Sequence, residues 1–105
     1  SEMLADLPKT AYTPEIRIDC PDDKKFEIVR ELTETFRSQY EVIDIDGVRI
    51  HFDDGWALIR ASNTQPVIVL RFEANNEARL IKLVGIVKEK MDHYQPIVDF
   101  NYSIC

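Results

Sequence analysis

The segment "GWALIRASNTQPVIVLRF", residues 55–72, decides the fold. Two apolar runs flank a polar insert, which reads Arg-Ala-Ser-Asn-Thr-Gln-Pro at positions 60–66. Short apolar runs that are bounded by turn-forming residues are typical of buried β-strands. The segment therefore predicts two strands joined by one tight connection, and that connection concentrates an arginine, two hydroxyls and two amides.

Further strand-like runs lie on both sides of this segment. In "EIRIDC", residues 15–20, apolar and polar positions alternate as in a half-buried strand. The runs "EVIDI", "VRIHF", "WALIRA" and "PVIVLRFEA" follow at residues 41–45, 48–52, 56–61 and 66–74. Asp46-Gly47 and Asp54-Gly55 separate the first three of these, and Asp-Gly pairs favour hairpin turns because glycine tolerates positive φ.

Two segments have helical spacing. Pro21-Asp22-Asp23 is a helix-start signal, and apolar residues recur at helical intervals from about Lys24 to Tyr40. The predicted apolar stripe consists of Phe26, Val29, Thr33, Phe36 and Tyr40, widened by Ile28 and Leu32. Asn75-Asn76 is predicted to cap a second helix. The stripe of that helix consists of Leu80, Val84, Val87 and Met91, with Ile81 beside it.

This order of elements predicts an α+β domain, in which an antiparallel sheet has both helices packed on one face. We expect the other face to carry Arg17, Arg49, His51 or Arg71, although the pattern leaves open which set of alternating side chains points outward. That face is either solvated or buried against another domain. Trp56 is expected to pack in the core or against the polar insert.

The C-terminal tail has the period of a strand. Val98, Phe100, Tyr102 and Ile104 alternate with polar residues. The tail is therefore expected to add an edge strand or to pair with another chain.

The composition restricts the classes of function. The 105 residues suffice for one small domain with a single modest core. The net charge of −6 argues against a nucleic-acid-binding protein, which normally presents a basic surface, but not against a small anionic ligand. Because neither a signal-peptide pattern nor a bilayer-spanning run is found, we expect a cytoplasmic protein. Cys20 and Cys105 are then expected to be reduced thiols, with a disulfide between them left open.

Four side chains of the insert suit a phosphate group. Arg60 offers a planar guanidinium that matches phosphate oxygens. Ser62 and Thr64 offer hydroxyl donors, Asn63 offers an amide, and the backbone N–H groups of a tight loop can converge on the same anion. Such a set would need no metal ion. The alternative interpretation is that Ser-Asn-Thr is ordinary turn chemistry, which these residue types favour in any protein.

Other candidate residues carry weaker signals. Four acidic residues could suggest a metal site, namely Asp44, Asp46, Asp53 and Asp54. However, Asp before Gly is common in turns, and the sequence matches no calcium-binding loop. His51 and His93 lack the spacing of metal ligands. Ser62 has neither the sequence setting of a nucleophile nor an evident base. We therefore predict no catalytic residue and no metal site in this chain.

The string "DGVRIHFDDGWALIRASNTQPVIVLRFEA", residues 46–74, resembles the C-terminal domain of the α-D-phosphohexomutase superfamily, in its bacterial phosphomannomutase/phosphoglucomutase branch. The resemblance begins at "LADLPKTAYTPEIRIDCPDDKKF", residues 4–26, and continues to about Met91. Its most specific part is the motif Arg-x-Ser-Asn-Thr-x-Pro, which Asp-Gly-Trp precedes and Leu-Arg-Phe-Glu follows.

The resemblance implies a fold like that of the TATA-box-binding protein, and a loop that binds the phosphate of the substrate. Carried over by position, the contacting residues would be Arg60, Ser62, Asn63 and Thr64, while Gln65 is given no role. Branches that act on glucosamine phosphate tend to have Ser-Gly-Thr here. Asn63 therefore favours the mannose and glucose branch.

The resemblance also implies a mechanism for a longer parent enzyme with four domains. Phosphate passes from a phosphoserine to the sugar, giving a bisphosphate that reorients and returns its other phosphate, so that hexose 1-phosphate and 6-phosphate interconvert. The phosphoserine, the Mg²⁺ site and the sugar-selecting loop belong to domains that this chain lacks. The expected partners are mannose or glucose 1- or 6-phosphate and those other domains, with no nucleic acid, no membrane and no cofactor bound by this chain.

We accordingly predict an interdomain linker at residues 1–13, a phosphate-binding domain at 14–94 and a tail at 95–105 that could form an extra edge strand. The chain alone is expected to show no turnover. The alternative hypothesis is a free-standing α+β binding or interaction module that has lost phosphate binding and pairs through "VDFNYSI", residues 98–104.

Overall fold

A computed structural model describes residues 10–44, 47–95 and 97–98. Its strands are β1 (Ala11–Tyr12), β2 (Ile16–Asp19), β3 (Glu41–Ile43), β4 (Val48–Phe52), β5 (Gly55–Ala61) and β6 (Val67–Ala74). Its helices are α1 (Asp22–Arg37) and α2 (Glu77–Met91), and a short 3-10 helix spans Asp92–Tyr94. Every predicted strand up to residue 74 and both predicted helices are therefore present.

The six strands form one antiparallel sheet. Strands β3, β4, β5 and β6 follow one another as a meander, and β1 and β2 both pair with the outer side of β6. Two residues of the predicted lead-in, Ala11 and Tyr12, thus belong to the sheet, opposite Ala74 and Glu73. The predicted α+β domain with an antiparallel sheet and two helices is confirmed, whereas the domain boundaries stay a prediction.

One face of the sheet packs against both helices and forms the core. The inward side chains of the three longest strands are buried together with the apolar stripes of α1 and α2 in one cluster. Since side chains alternate along a strand, the residues between them point to the opposite face. That open face carries Arg17, Arg49, His51, Trp56, Leu58, Arg60 and Arg71.

Helix α1 differs from its prediction in its first turns. It begins at Asp22 rather than Lys24 and ends at Arg37. Phe26, which was predicted to lie in the apolar stripe, is 55% exposed, while its neighbour Lys25 is only 3% exposed. The prediction for Phe26 is wrong because a shift of one residue rotates the helix face by about 100°. Lys25, Val29 and Phe36 thus share the buried face.

Helix α2 is capped as predicted. Asn76 has extended backbone angles, and its side chain accepts a hydrogen bond of 2.9 Å from the Arg79 N–H. The buried face includes Leu83 in addition to the predicted stripe. Ile81, which was placed beside that stripe, is 47% exposed.

The glycines of the two predicted Asp-Gly turns are needed for different physical reasons. Gly47 has φ +104°, a conformation that L-residues rarely adopt, and a Cβ there would lie 2.7 Å from the Ile59 carbonyl oxygen. Gly55 instead opens β5 opposite Ala74, where an added Cβ would collide with Ala74 Cα at 2.8 Å. Gly47 therefore serves the turn, while Gly55 allows a close approach of neighbouring strands.

The chain beyond α2 is described only through residue 98, with position 96 excepted. Val98 is completely buried in the core cluster, and its N–H donates to the Tyr94 carbonyl at 3.3 Å. Apart from Val98, the predicted tail strand falls on residues outside the described part, as does Cys105. None of the helices in the described ranges is both long and apolar enough to cross a membrane.

Candidate functional site

The predicted phosphate loop is the connection between β5 and β6. Arg60 is the penultimate residue of β5, and residues 62–66 lead to Val67 at the start of β6. Arg60 is exposed on the open face, opposite Val69, which in turn neighbours Arg17 of β2. The structure thus brings the four predicted side chains together at one end of the sheet, because they are close in sequence and their flanking strands are paired.

Hydrogen bonds within the loop fix its backbone. The Ser62 N–H donates to the Val67 carbonyl at 3.1 Å, and the Val67 N–H donates to the Gln65 carbonyl at 2.8 Å. The Ser62 hydroxyl oxygen accepts from the N–H groups of both Thr64 and Gln65, at 3.2 Å each. Two backbone donors therefore converge on one point, which is how a loop presents partial positive charge to an acceptor.

The hydroxyl of Thr64 lies close to the Ser62 oxygen on which these two donors converge. Ser62 Oγ and Thr64 Oγ1 are 3.5 Å apart. Ser62 is partly exposed, and Asn63 and Thr64 are exposed, so their polar groups are accessible from solvent. Together with Arg60, these groups can donate several hydrogen bonds to an anion without a metal ion.

Two contacts from outside hold the end of the loop. The ammonium of Lys25 donates to the Gln65 carbonyl at 2.8 Å, and the Cys20 N–H donates to the Pro66 carbonyl at 2.8 Å. Sequence reasoning assigned no role to Lys25 and none to Gln65. The sequence did contain one indication of a role for Lys25. Its spacing from Val29 and Phe36 puts it on the same helix face as these residues, where an apolar side chain is normally found.

The Lys25 ammonium also affects the neighbouring thiol. Burial raises the pKa of Cys20, while the nearby positive charge of Lys25 acts in the opposite direction. Cys20 is a free thiol and only 2% exposed. The thiol is therefore held neutral beneath the loop and is no candidate nucleophile.

Three further arginines lie on the open face of the sheet. Arg17 forms an ion pair of 3.0 Å with Glu15, and the Arg49 guanidinium lies 4.6 Å from the centre of the Trp56 ring. Arg71 is exposed two positions beyond Val69 on β6. The prediction that Trp56 packs in the core or against the loop is wrong, because the alternation of β5 places it on the open face near the other end of that strand.

A cleft of about 240 Å³ lies beside the loop, between α1 and the end of β5. Its lining includes Arg30, Arg60 and Asn63 but also the carboxylates of Glu34 and Asp44. Positively and negatively charged side chains thus both line this cleft, so its electrostatic potential does not clearly favour an anionic ligand. The donors that suit a phosphate are those of the loop on its rim.

The remaining candidates in the described part of the chain are not brought together, and Asp46 lies outside that part. His51 lies in β4, whereas His93 lies in the 3-10 helix after α2. Asp54 is engaged by Arg79 at 3.1 Å, and Asp44 by Arg37 at 2.7 Å. Within the described ranges, no three His, Cys, Asp or Glu side chains lie together as a metal-binding group.

Comparison with known proteins decides the family. Residues 15–90 match the family described as phosphoglucomutase/phosphomannomutase, C-terminal domain. The chain belongs to this family. The match covers strands β2 to β6, helix α1, α2 up to residue 90 and the loop at residues 60–66. The candidate site thus lies inside the matched phosphomutase domain.

Known relatives agree with this assignment. A phosphomannomutase/phosphoglucomutase of Pseudomonas putida is 39% identical over 95 residues, which cover 90% of this chain and 20% of that protein. A phosphoglucomutase of Neisseria gonorrhoeae is 42% identical over 86 residues, 79% of this chain and 19% of that protein. A probable phosphoglucosamine mutase of Methanopyrus kandleri is 42% identical over 84 residues, 79% of this chain and 18% of that protein. The chain therefore spans about a fifth of the length of these relatives.

A solved structure has the same fold. The crystal structure of a phosphoglucomutase/phosphomannomutase family protein from Burkholderia thailandensis superimposes with a TM-score of 0.70 at 30% sequence identity. The superposition covers 97% of this chain and 21% of that protein. The phosphomutase domain thus occurs as one part of a longer chain in that relative.

Proposed function

We propose that this domain binds the phosphate group of a hexose phosphate through Arg60, Ser62, Asn63 and Thr64. The parent would be a phosphomannomutase/phosphoglucomutase of the cytoplasm that interconverts hexose 1-phosphate and 6-phosphate through a phosphoserine and a bisphosphate intermediate. The observation that carries the proposal is the convergence of the Thr64 and Gln65 N–H groups inside a tethered loop, beside an exposed arginine.

The geometry suggests how the loop would receive the anion. Ser62 Oγ now accepts the two N–H bonds, and a phosphate oxygen can replace it as their acceptor. The Ser62 hydroxyl would then be released to donate to the phosphate, as would Thr64 and the Asn63 amide. Arg60 would donate a pair of charge-assisted hydrogen bonds to the phosphate, and these would provide most of the electrostatic attraction between the loop and the anion.

This role is one of positioning rather than chemistry. The loop would bind the phosphate group that is not being transferred. Binding energy at such a remote group can be used to orient the reacting end of the sugar phosphate. We expect the phosphoserine and the Mg²⁺ site in other domains of the parent. The 105-residue chain alone is accordingly expected to show no mutase turnover.

The proposal is tested by an amide NMR titration of this chain with glucose 1-phosphate. A single loop without its partner domains should bind at about millimolar concentration, roughly −4 kcal/mol. Saturable shifts are expected at residues 60–65. Arg60→Ala should weaken binding about tenfold or more, since hydrogen bonds to charged groups contribute about 1.5–3 kcal/mol.

Arg71→Ala is the matched control, because it removes an exposed arginine from the same face without touching the loop. If both variants lose affinity equally, the open face rather than the loop attracts the anion. If Arg60→Ala binds like the wild type, the proposed site is wrong. The absence of saturable shifts at tens of millimolar, together with a stable homodimer, would favour the module that has lost its ligand.

A further inference from the structure

Lys25 is a buried cation that the proposed function does not yet use. Only 3% of its surface is exposed, although it lies in the first turn and a half of α1. Its ammonium donates to Asp22 Oδ1 at 2.8 Å and to the Gln65 carbonyl at 2.8 Å. Lysine is rarely this buried without a specific partner, because desolvation of the ammonium is costly.

Stability alone is a weak reason for this lysine. The side chain of Asp22 is 72% exposed, and an ion pair with so exposed a partner contributes little. Replacing a buried ion pair as a whole by apolar side chains of similar volume is often neutral or stabilising. The bond to Gln65, which lies forty residues further along the chain, is the contact that an apolar side chain could not make.

The orientation of the Gln65 carbonyl matters to an anion in the loop. Pro66 has no N–H, so the peptide between Gln65 and Pro66 offers an anion only the negative end of its carbonyl dipole. In the structure this carbonyl is turned to Lys25 and to the Val67 N–H, while the N–H of Gln65 points to Ser62 Oγ. If this peptide rotated, the carbonyl oxygen could approach the point on which the two loop donors converge and repel an anion there.

We infer that Lys25 is a positioning residue for the phosphate loop, which keeps the Gln65 carbonyl turned away from the anion and places a positive charge behind it. This inference rests on the function proposed above, because it assigns Lys25 a role in phosphate binding. The charge acts through a partly desolvated interior, where its interaction with an anion is screened less than in water.

The test compares the dissociation constants of inorganic phosphate and of glucose 1-phosphate, measured by NMR on the whole chain. Lys25→Met retains an unbranched side chain but removes the donor and the charge. We expect its dissociation constant to rise about tenfold, which corresponds to about 1.4 kcal/mol. Lys25→Arg retains the charge and the donors, so affinity should stay within about threefold of the wild type.

Asp22→Asn is the matched control, since it removes the carboxylate partner of Lys25 but leaves the bond to Gln65. Its affinity should stay within about twofold of the wild type. The carbonyl ¹³C resonance of Gln65 reports the contact directly and should move upfield in Lys25→Met only. A purely structural role would change the denaturation midpoint without this pattern of affinities and shifts.

The outcomes separate the two proposals. If the wild type binds phosphate and a folded Lys25→Met binds equally well, the role of Lys25 is wrong and the phosphate loop stands. If Lys25→Met does not fold, a folded Lys25→Arg that loses more than tenfold in affinity overturns the inference. If the wild type shows no saturable binding, the proposed function fails, and with it the role of Lys25, whatever the Gln65 resonance shows.

Discussion

Gly55 is the position at which adding one methyl group should destabilise this domain most clearly. It opens β5 opposite Ala74, and Leu83 of α2 packs over the same point. A Cβ at Gly55 would collide with the Glu73 carbonyl oxygen, and it would lie 2.8 Å from both Ala74 Cα and Leu83 Cδ1. Two of these three obstacles are backbone atoms of β6, so they cannot move aside as the end of a side chain can.

The magnitude follows from the displacement that Gly55→Ala requires. Both contacts of 2.8 Å must open by 0.6 Å to reach the 3.4 Å of an ordinary contact, and the Glu73 oxygen must move further. Overpacking of this kind costs about 1–3 kcal/mol, and a weakened ladder hydrogen bond adds about 1 kcal/mol. We therefore expect the free energy of unfolding to fall by about 3 kcal/mol, a large part of the roughly 5–15 kcal/mol of a small domain.

Gly85→Ala is the matched control. Gly85 is an exposed residue of α2, and a Cβ there would meet no atom within 4 Å. The same substitution should therefore stabilise the domain by about 0.5–1 kcal/mol, because alanine loses less backbone entropy than glycine when a helix forms.

Equilibrium unfolding in urea, followed by far-UV circular dichroism, measures both changes. The midpoints should move in opposite directions, while the m-values stay equal, since the two variants bury the same surface. If Gly55→Ala lies within about 1 kcal/mol of the wild type at equal m, the close packing of β5 against β6 is refuted. A fall in stability for Gly85→Ala would contradict the open space around that position.

Three further predictions concern groups at the edge of the core. Burial and the hydrogen bond to Glu31 raise the pKa of Tyr94 to about 12. Because the folded state holds the phenolic proton more tightly than the unfolded state, the free energy of unfolding should fall as the pH rises from 10 to 12. Spectrophotometric titration of Glu31→Gln should give a lower pKa for Tyr94, and an unchanged titration would contradict the contact. Asn76→Ala should destabilise the domain by about 1 kcal/mol in urea unfolding, whereas Asn76→Asp should not, since it keeps the capping oxygen. Alkylation of Cys20 by iodoacetamide, followed by peptide mass spectrometry, should be slow in the native protein and fast in denaturant, and equal rates would show that the thiol is accessible.

The sequence determined the elements and the composition of the candidate site. Alternation of apolar residues located the strands, and helical spacing located both helices, because each pattern depends only on local side-chain periodicity. Arg60, Ser62, Asn63 and Thr64 could be grouped for the same reason, since they lie within five residues.

Only the tertiary structure decided how these elements face one another. Periodicity cannot fix the rotation of a helix to within one residue, so Phe26 was placed inside, whereas the packing exposes Phe26 and buries its neighbour Lys25. The strand pattern likewise left open which face of the sheet carries Trp56. The need for glycine at position 55 depends on the close approach of the neighbouring strand β6, which the local sequence does not specify. Lys25 meets the Gln65 carbonyl only because α1 packs beneath the loop, and a contact between residues forty positions apart is set by packing that no local pattern records.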